Sequence, residues 1–328
     1  MRFPHPELQK ICFLAEDSDT LVKLLGDSCS PGEAELVHGY FDLGLPPAIS
    51  PEALATMFGY NPGFVWSMLK RTHKHYRIFP IPKGNGERLI SAPRVGLKLI
   101  QRWLNYHWSL GWKPSKNVHG FVTGKSHISA AKMHCNAKWV ISADIANFFP
   151  SVKSDRVRLA LQRLGYNDDT SLDMLAKLVC LDGALTQGAP TSPVLSNIVL
   201  SDLDTVLEEL ATETSSVYTR YADDIVFSGK NDLPEGIDVL IKEAINKDGW
   251  TLSDRKFNIS QIPHRLKVHG LLVHTEEVRL TKGYRNKLRA FRHLMNSGKV
   301  IDTDIARFSG HIAYSDFIDR QRANDKNQ

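Results

Sequence analysis

Three aspartates are the residues of this chain whose types and spacing could do chemistry. Asp223 and Asp224 are adjacent, between the β-type runs VYTRY and IVFSG, and Asp144 ends the apolar run KWVISAD. Adjacent residues of a strand point to opposite sides, so a tight turn is needed to bring Asp223 and Asp224 to one rim. Converging carboxylates repel one another unless a cation neutralises them, and oxygen ligands favour Mg²⁺ or Mn²⁺. A pair of such ions can activate an attacking hydroxyl and stabilise a leaving oxygen, which predicts phosphoryl transfer.

The elements around these aspartates are predicted to form an α+β layer. The pattern predicts a strand over 138–145, a helix from Ser154 to a stop at Gly165, a longer helix over about 192–212 and a hairpin over 217–229. Strand, helix, helix and hairpin in this order are typical of a split βαβ layer, with helices packed on an antiparallel sheet. Such a sheet presents its strand ends and its turn at one rim, which is where the aspartates are needed.

Local signals also organise the first part of the chain. Residues 1–60 have a helical pattern, with Ser50 as an N-cap, Pro51 at the first helical position and Gly59 near a helix stop. Apolar and polar residues alternate over 76–92 on either side of a Gly-Asn-Gly turn, which predicts a β-hairpin.

The composition narrows the class of protein. The chain has 328 residues, of which 42% are hydrophobic and 23% charged, as in a globular protein rather than a disordered or fibrous one. It contains no apolar run long enough for a membrane span, and its start lacks the features of a secretory signal. We therefore expect a cytoplasmic protein without a membrane partner. The four cysteines include no CxxC pair, which argues against a zinc ribbon and a disulfide framework.

The net charge of +5 is unevenly placed along the chain. Residues 255–328 hold 15 Lys and Arg against 7 Asp and Glu, whereas residues 1–254 hold 26 against 29. A basic C-terminal segment on a mildly acidic body predicts a polyanionic partner.

Blocks of sequence around the aspartates resemble reverse transcriptases. The blocks that carry this resemblance are YADD (221–224), like the metal-binding hairpin; SADIANFFPSV (142–152), like the strand with the third aspartate; LTQGAPTSPVLSNIVLSDLD (185–204), like the loop and helix beneath the template and nucleotide; KGNGERLISAP (83–93), like the fingers hairpin; and HGFVTGKS (119–126), like the segment before the catalytic strand. They follow the family's order between about residues 76 and 290.

The resemblance implies an RNA-directed DNA polymerase, a nucleotidyltransferase shaped as a right hand. Its fold would be α+β, with fingers, a ferredoxin-like split βαβ palm and a helical thumb. The implied domains are an N-terminal helical extension (1–60), fingers (61–137), a palm (138–275, with part of the fingers inserted near 154–184) and a basic helical thumb (276–328).

The resemblance also implies a metal site. Asp144 and Asp223 would bind two Mg²⁺ ions, for which Mn²⁺ could substitute, and Asp224 would assist as the third catalytic carboxylate. Ile145 would offer a backbone carbonyl to the metal.

Further roles concern the nucleotide and the duplex. The predicted nucleotide-binding residues are Lys83 and Arg88, which would grip the triphosphate; Phe149, the steric gate against a 2′-hydroxyl; Gln187 and Gly188, below the nascent base pair; and Lys256, near the leaving pyrophosphate. The predicted duplex-binding residues, spaced so that they form one stripe of a thumb helix, are Lys282, Arg285, Arg289 and Arg292. A second stripe, which would pack on neighbouring elements, holds Tyr284, Leu288, Phe291 and Met295.

Within the family, the wording QGAPTSPVLSN and the short length resemble retron reverse transcriptases. Such enzymes copy a dedicated structured non-coding RNA of the msr-msd type, prime from one of its 2′-hydroxyls and leave a branched RNA–DNA product (msDNA). The implied partners are that RNA, its cDNA, dNTPs and an effector or toxin protein of an anti-phage defence system. Two signatures depart from the pattern: AAKMH (130–134) stands for Asn-Ala-x-x-His, and VHG (268–270) for Val-Thr-Gly.

Two alternatives remain open at the level of sequence. One is an abortive-infection reverse transcriptase that makes untemplated or protein-primed DNA. The other is a non-catalytic RNA-binding scaffold, although a scaffold would not need Asp144, Asp223 and Asp224 together.

Overall fold

The computed structural model describes residues 8–11, 14–15, 17–84, 86–298 and 300–326. The helices are α1 (Ser18–Leu25), α2 (Pro31–Asp42), α3 (Pro51–Phe58), α4 (Pro62–Lys70), α5 (Val95–Gly111), α6 (His127–Met133), α7 (Phe148–Ser151), α8 (Ser154–Leu164), α9 (Asp169–Val179), α10 (Ser192–Val199), α11 (Ser201–Glu213), α12 (Ile237–Lys247), α13 (Lys282–Asn296) and α14 (Asp302–Lys326). The strands are β1 (Tyr76–Lys83), β2 (Gly86–Pro93), β3 (Trp139–Asp144), β4 (Val217–Tyr221), β5 (Asp224–Gly229), β6 (Asn258–Gln261), β7 (Lys267–Val268), β8 (Leu271–Leu272) and β9 (Arg279–Leu280). Among the described helices, none combines the length and apolar character that a bilayer span requires.

The chain forms two compact units. The first consists of residues 1–114 and 147–202, and the second of residues 115–146 and 203–328. The division into helical extension, fingers, palm and thumb stays a prediction.

The first unit contains the predicted N-terminal helices and the hairpin β1–β2. Helix α3 begins as predicted, since Ser50 Oγ accepts a hydrogen bond from the Ala53 amide (3.1 Å) and Pro51 is its first residue. It ends at Gly59 in the left-handed conformation, with φ 64°. The two hairpin strands pair antiparallel over 76–93; the central residue of its predicted turn, Asn85, and part of the predicted helical stretch 1–60 lie outside the described residues.

The single helix predicted over 192–212 is wrong, because α10 and α11 are separated at Leu200. Side chains account for the break. Ser201 Oγ donates to the carbonyl of Ile198 (2.8 Å), and Arg163 Nη1 donates to the same oxygen (3.3 Å). These bonds compete with the helical bond that the carbonyl would otherwise accept, which is how serine side chains interrupt helices.

The second unit is built on a four-stranded antiparallel sheet with the strand order β4-β5-β3-β6. Numbered by their appearance in this sheet, the strands follow the order 2-3-1-4, which is that of a ferredoxin-like split βαβ layer. The predicted layer around the aspartates is therefore confirmed. Its core includes Ile128, Val140, Val226 and Leu266, each at most 3% exposed, and continues into the small sheet β7-β8-β9.

Candidate active site

The hairpin β4–β5 of the second unit carries two of the three aspartates. Tyr221 and Asp224 are paired at the end of the ladder, which leaves Ala222 and Asp223 as the turn. Ala222 has φ 58°, a left-handed conformation that is uncommon for a residue with a Cβ. The sequence predicted that both aspartates would lie in the turn, but Asp224 is the first residue of β5.

Asp144, the last residue of β3, is paired with Asp224 across the sheet. Residues directly opposite in an antiparallel ladder project to the same face, so these carboxyl groups are neighbours. Asp144 is buried, whereas the side chain of Asp224 is 49% exposed. The amide of Ile145 donates to the carbonyl of Asp223 (3.2 Å), which fastens the end of β3 to the turn. The register thus brings the aspartates to one rim of the sheet.

Lys256 lies on this rim, and its Nζ donates a hydrogen bond to Oδ2 of Asp144. Burial raises the pKa of the Asp144 carboxyl, the charges of Asp223 and Asp224 add to the rise, and the Lys256 ammonium opposes it; the pKa reaches about 6. Burial lowers the pKa of Lys256, but the contact with Asp144 and the charges of Asp223 and Asp224 together outweigh burial, and the net shift is upward. The rim is therefore a set of repelling carboxylates that one ammonium compensates in part.

The chemistry of this donor set suits a hard divalent cation, because it offers carboxylate oxygens at a partly exposed rim. The side chains do not form a preassembled site: within the described residues, no three Asp, Glu, His or Cys side chains are arranged so that they could hold a metal ion. The metal roles of Asp144, Ile145, Asp223 and Asp224 therefore stay a prediction.

His269, to which the sequence assigned no role, lies beside the hairpin β4–β5. Its Nδ1 is 3.7 Å from Oδ2 of Asp224, and its ring lies 5.3 Å from the ring of Tyr221 between centroids. Burial raises the pKa of Asp224, but the contacts with His269 and Asp144 and the charge of Lys256 together outweigh burial and hold the pKa below its ordinary value. The departure from Val-Thr-Gly at this position was the signal that could have found it.

His134, the histidine retained from the Asn-Ala-x-x-His signature, ties the two strands of the hairpin together. It is fully buried, with Nε2 2.7 Å from Oγ1 of Thr219 on β4 and Nδ1 2.7 Å from Oγ of Ser228 on β5. Burial lowers the pKa of His134 to about 3, so the ring is neutral near pH 7. Its role in this structure is to satisfy two buried hydroxyl groups under the sheet.

All the predicted nucleotide-binding residues except Lys256 lie in the first unit. Lys83 is exposed on β1 and Arg88 is half-buried on β2, and the pairing of Arg88 with Ile81 puts both basic residues on one face of the hairpin. Phe148 is buried in α7, while Phe149 is half-buried, and the steric-gate role of Phe149 stays a prediction.

Gly188 needs to be glycine for a reason that the sequence did not indicate. Its φ is 117°, and a Cβ there would lie 2.9 Å from Cγ2 of Ile90 and 3.1 Å from the carbonyl oxygen of Ser91. The carbonyl of Gln187 accepts a hydrogen bond from the Ser91 amide (2.8 Å). The close approach at Gln187 and Gly188 is thus to strand β2.

The predicted basic helix is present as α13, and its stripes divide as expected, while its assignment to a thumb stays a prediction. Leu288 and Phe291 are buried, whereas the four predicted basic residues are exposed. Three of these four line a concave pocket of about 420 Å³, whose lining consists of Arg279, Leu280, Arg285, Leu288, Arg289, Arg292, Ser315, Ile318 and Asp319. Arg279 of β9 was missed by the sequence analysis because it precedes the helix, and Lys282 is not part of the lining. Arg292 also pairs with Asp316 of α14 (2.6 Å).

Comparison with known proteins identifies the family. Residues 81–280 match the family described as reverse transcriptase (RNA-dependent DNA polymerase). The chain is 31% identical over 316 residues to retron Mx65 reverse transcriptase of Myxococcus xanthus, covering 89% of this chain and 73% of that protein. It is 30% identical over 244 residues to retron Ec86 reverse transcriptase of Escherichia coli, covering 73% and 75%. Apo telomerase from Candida tropicalis is a structural neighbour with a TM-score of 0.47 and 12% identity, covering 62% of this chain and 47% of that one.

The family match spans more than half of the chain and includes the rim formed by Asp144, Asp223 and Asp224. Reverse transcriptases generally use divalent metal ions, which agrees with the oxygen donors found there. The chain belongs to the bacterial retron-type reverse transcriptases and is an RNA-directed DNA polymerase.

Proposed function

We propose that this polymerase copies part of a dedicated, structured msr-msd type RNA into DNA and leaves a branched RNA–DNA product, msDNA. We further propose that it does so in the cytoplasm with an effector protein, as part of an anti-phage defence system. The similarity to named retron reverse transcriptases over most of the chain supports the RNA-templated part of this proposal.

The observation that carries the catalytic part is the register that pairs Asp144 with Asp224 and fastens Asp223 beside them. Asp144 and Asp223 would hold two Mg²⁺ ions, with Asp224 assisting and the carbonyl of Ile145 as a further oxygen ligand. When bound, these ions lower the pKa of the attacking hydroxyl and stabilise charge on the leaving oxygen. Lys256 compensates the carboxylates in this structure, and its ammonium would donate a proton or a hydrogen bond to the leaving pyrophosphate.

Nucleotide selection is assigned to the first unit. Lys83 and Arg88 present a point charge and a guanidinium fork on one face of a hairpin, a combination suited to triphosphate oxygens. Phe149 is half-buried, and its ring would exclude the 2′-hydroxyl of a ribonucleotide. Gln187 and Gly188 would support the nascent base pair from a backbone held against β2.

Binding of the RNA duplex is assigned to α13. Arg285, Arg289 and Arg292 would contact phosphates, and Arg279 joins them in the same pocket. Lys282, at the start of the helix, would add a further cation. Phosphate contacts of this kind give affinity rather than sequence choice.

The test of the catalytic site is Asp223→Asn, with Asp232→Asn as the matched control. Asp232 is exposed beyond β5, so its substitution makes the same charge change away from the rim. We expect Asp223→Asn to abolish Mg²⁺-dependent primer extension while leaving thermal unfolding and RNA binding close to wild type, because it removes charge from a rim and no core contact. Asp232→Asn should remain active. Extension by Asp223→Asn at near wild-type rate would show that the site is wrongly assigned.

The test of the template is the nucleic acid that co-purifies with the protein. A 2′-5′ branch joining DNA to one RNA species supports msDNA synthesis. DNA attached covalently to the protein, without a defined RNA, supports the abortive-infection alternative instead.

A further inference from the structure

A buried ion pair lies behind the catalytic hairpin, between Arg220 of β4 and Asp204 of α11. The two side chains are 0% and 3% exposed. Arg220 Nε donates to Oδ1 of Asp204 and Nη2 donates to Oδ2, both at 2.6 Å. The hydroxyl of Tyr218 donates to the same carboxylate at 2.6 Å. Because the pairing is bidentate, it fixes the plane of the guanidinium as well as its position.

The remaining terminal nitrogen of this guanidinium reaches the turn that carries the aspartates. Arg220 Nη1 donates to the carbonyl oxygen of Ala222 at 3.1 Å. That carbonyl belongs to the peptide that joins Ala222 to Asp223, so its direction sets how the turn enters Asp223. Ala222 has φ 58°, and such a conformation persists only where the surroundings hold it.

The main chain of Arg220 is held as well. Its amide donates to the carbonyl of Asn117 (3.0 Å), and its carbonyl accepts from the amide of His119 (2.8 Å), in a short parallel bridge at Val118. A guanidinium on a fixed backbone, paired with a buried carboxylate, is a rigid donor. The guanidinium therefore fixes the position of the turn, which a mobile charge on the surface could not do.

From these contacts we propose that Arg220 and Asp204 are positioning residues of the polymerase. Asp204 orients the guanidinium of Arg220, and Arg220 holds the Ala222–Asp223 peptide so that Asp223 and Asp224 are presented at the rim. The inference rests on the proposed catalytic role of these aspartates. Arg220 is fully buried, so it acts through the turn without touching the substrate.

A purely structural role for the pair makes a different prediction. A buried ion pair can often be replaced by apolar residues of similar volume without loss of stability. Apolar residues cannot donate a hydrogen bond to the carbonyl of Ala222. The variant that replaces both charges therefore separates packing, which it preserves, from positioning, which it removes.

The experiment compares wild type with the double variant Asp204→Leu/Arg220→Met on an RNA template with an annealed DNA primer. We expect the double variant to remain folded and to bind RNA normally, with some loss of thermal stability because the buried hydroxyl of Tyr218 loses its acceptor. Its kcat should fall about 10- to 100-fold, the range that misplacement of catalytic groups produces, with KM for dNTP changed less than about twofold. The Mg²⁺ concentration that gives half-maximal rate should rise.

Arg220→Lys provides the second variant in case the double variant does not fold. Lysine can pair with Asp204, but its single ammonium cannot replace the three directed N–H groups, so we again expect a kcat loss of about tenfold or more. Tyr218→Phe is the matched control. It removes one hydrogen bond from the same carboxylate while leaving Arg220 and the carbonyl of Ala222 in contact, and kcat should stay within about twofold of wild type.

The outcomes distinguish this inference from the proposed catalytic site. A folded double variant or Arg220→Lys with wild-type kcat overturns the positioning role, as does a kcat loss in Tyr218→Phe equal to that in Arg220→Lys. If Asp223→Asn is inactive in the same assay, the catalytic site stands even when the positioning role fails. If Asp223→Asn is active, the catalytic assignment itself has failed.

Discussion

The hairpins β1–β2 and β4–β5 show how the same kind of element serves different purposes. Strands β4 and β5 are almost entirely buried and belong to a four-stranded sheet, whereas β1 and β2 pair only with each other and are mostly exposed. The buried side chain of His134 contacts hydroxyl groups on both β4 and β5 and so links these two strands. The buried hairpin can hold aspartates in fixed positions, while the exposed one can only present charges.

The turns make the contrast sharper, because each contains a residue with the same positive φ. Ala222 and Gly84 each have φ 58°. A Cβ added at Gly84 would meet open space, so glycine there relieves only the local strain. The turn at Ala222 is covered by another segment: a Cβ on Gly120 would lie 2.2 Å from the amide nitrogen of Ala222. What distinguishes the turn at Ala222 is therefore its surroundings.

We expect the largest effect from Gly120→Ala, which places a methyl group against the turn at Ala222. The new methyl group meets backbone, which cannot rotate away, so the turn at Ala222 must shift. We expect kcat to fall about 10- to 100-fold and the free energy of unfolding to fall by about 1–3 kcal/mol. Primer-extension kinetics and denaturant unfolding of the same preparation measure the two effects.

Gly310→Ala in α14 is the control for Gly120→Ala. A Cβ at Gly310 meets nothing within 4 Å, and alanine favours a helix interior by about 1 kcal/mol over glycine. This variant should keep wild-type kcat and be at least as stable. Wild-type kcat in Gly120→Ala would mean that the turn tolerates displacement, and the importance given to its surroundings would be lost.

A smaller effect is expected on the exposed hairpin, from Lys83→Gln combined with Arg88→Gln. Since Lys83 is exposed and Arg88 is only half-buried, the free energy of unfolding should change by less than about 1 kcal/mol. Loss of two charged contacts to phosphate oxygens should raise KM for dNTP about tenfold, with a smaller change in kcat. Steady-state kinetics with varied dNTP give both quantities.

Arg77→Gln tests whether this effect is local. Arg77 lies on the same face of β1 but far from the turn, opposite Ala92. Its substitution should leave KM for dNTP near wild type. An equal rise of KM in Arg77→Gln would indicate a general effect of hairpin charge and would remove the specific role of Lys83 and Arg88.

Local sequence signals predicted much of what positions the site. The cap at Ser50, the stop at Gly165, the alternation over 76–92 and the strand ending at Asp144 depend on neighbouring residues, and the structure agrees with each. The split βαβ order was predicted for the same reason, since the order of elements along the chain limits the topologies that connect them.

The contacts that the sequence could not predict join residues far apart in the chain. The pairing of Asp144 with Asp224 depends on register between strands that are separated along the chain by helices α7 to α11 and strand β4, and no local pattern encodes it. In the sequence, Arg220 and Asp204 are two ordinary charged residues, and only the fold buries them and brings them into contact. Likewise, the break at Leu200 depends on side-chain hydrogen bonds to the carbonyl of Ile198, and the spacing of hydrophobic residues gives no information about such bonds.

Helix α13 also presents exposed basic side chains, but unlike those of β1–β2 they line a concave pocket. Arg285, Arg289 and Arg292 line the pocket together with Arg279, and Asp319 is the carboxylate of this lining. Changing the three helix arginines to glutamine should therefore weaken RNA binding through lost phosphate contacts. The slope of log affinity against log salt should become shallower by about two to three units, by the counterion-release relation, with little effect on thermal unfolding.

The matched control for α13 replaces Lys230, Lys247 and Arg265 with glutamine, since these exposed cations of the same unit lie outside the pocket lining. If the pocket binds phosphate, the control should change the slope by less than about one unit, because general electrostatic attraction without contact releases few counterions. An equal change of slope in both triple variants would show that net charge alone draws the RNA to this unit. An unchanged slope with unchanged cDNA yield in the α13 variant would contradict the duplex-binding role of this helix without affecting the assignment of the hairpin β4–β5.

Adding Arg279→Gln to the α13 variant tests whether Arg279 binds the same phosphate backbone. A further decrease in slope is expected only if Arg279 and the helix arginines contact one phosphate backbone.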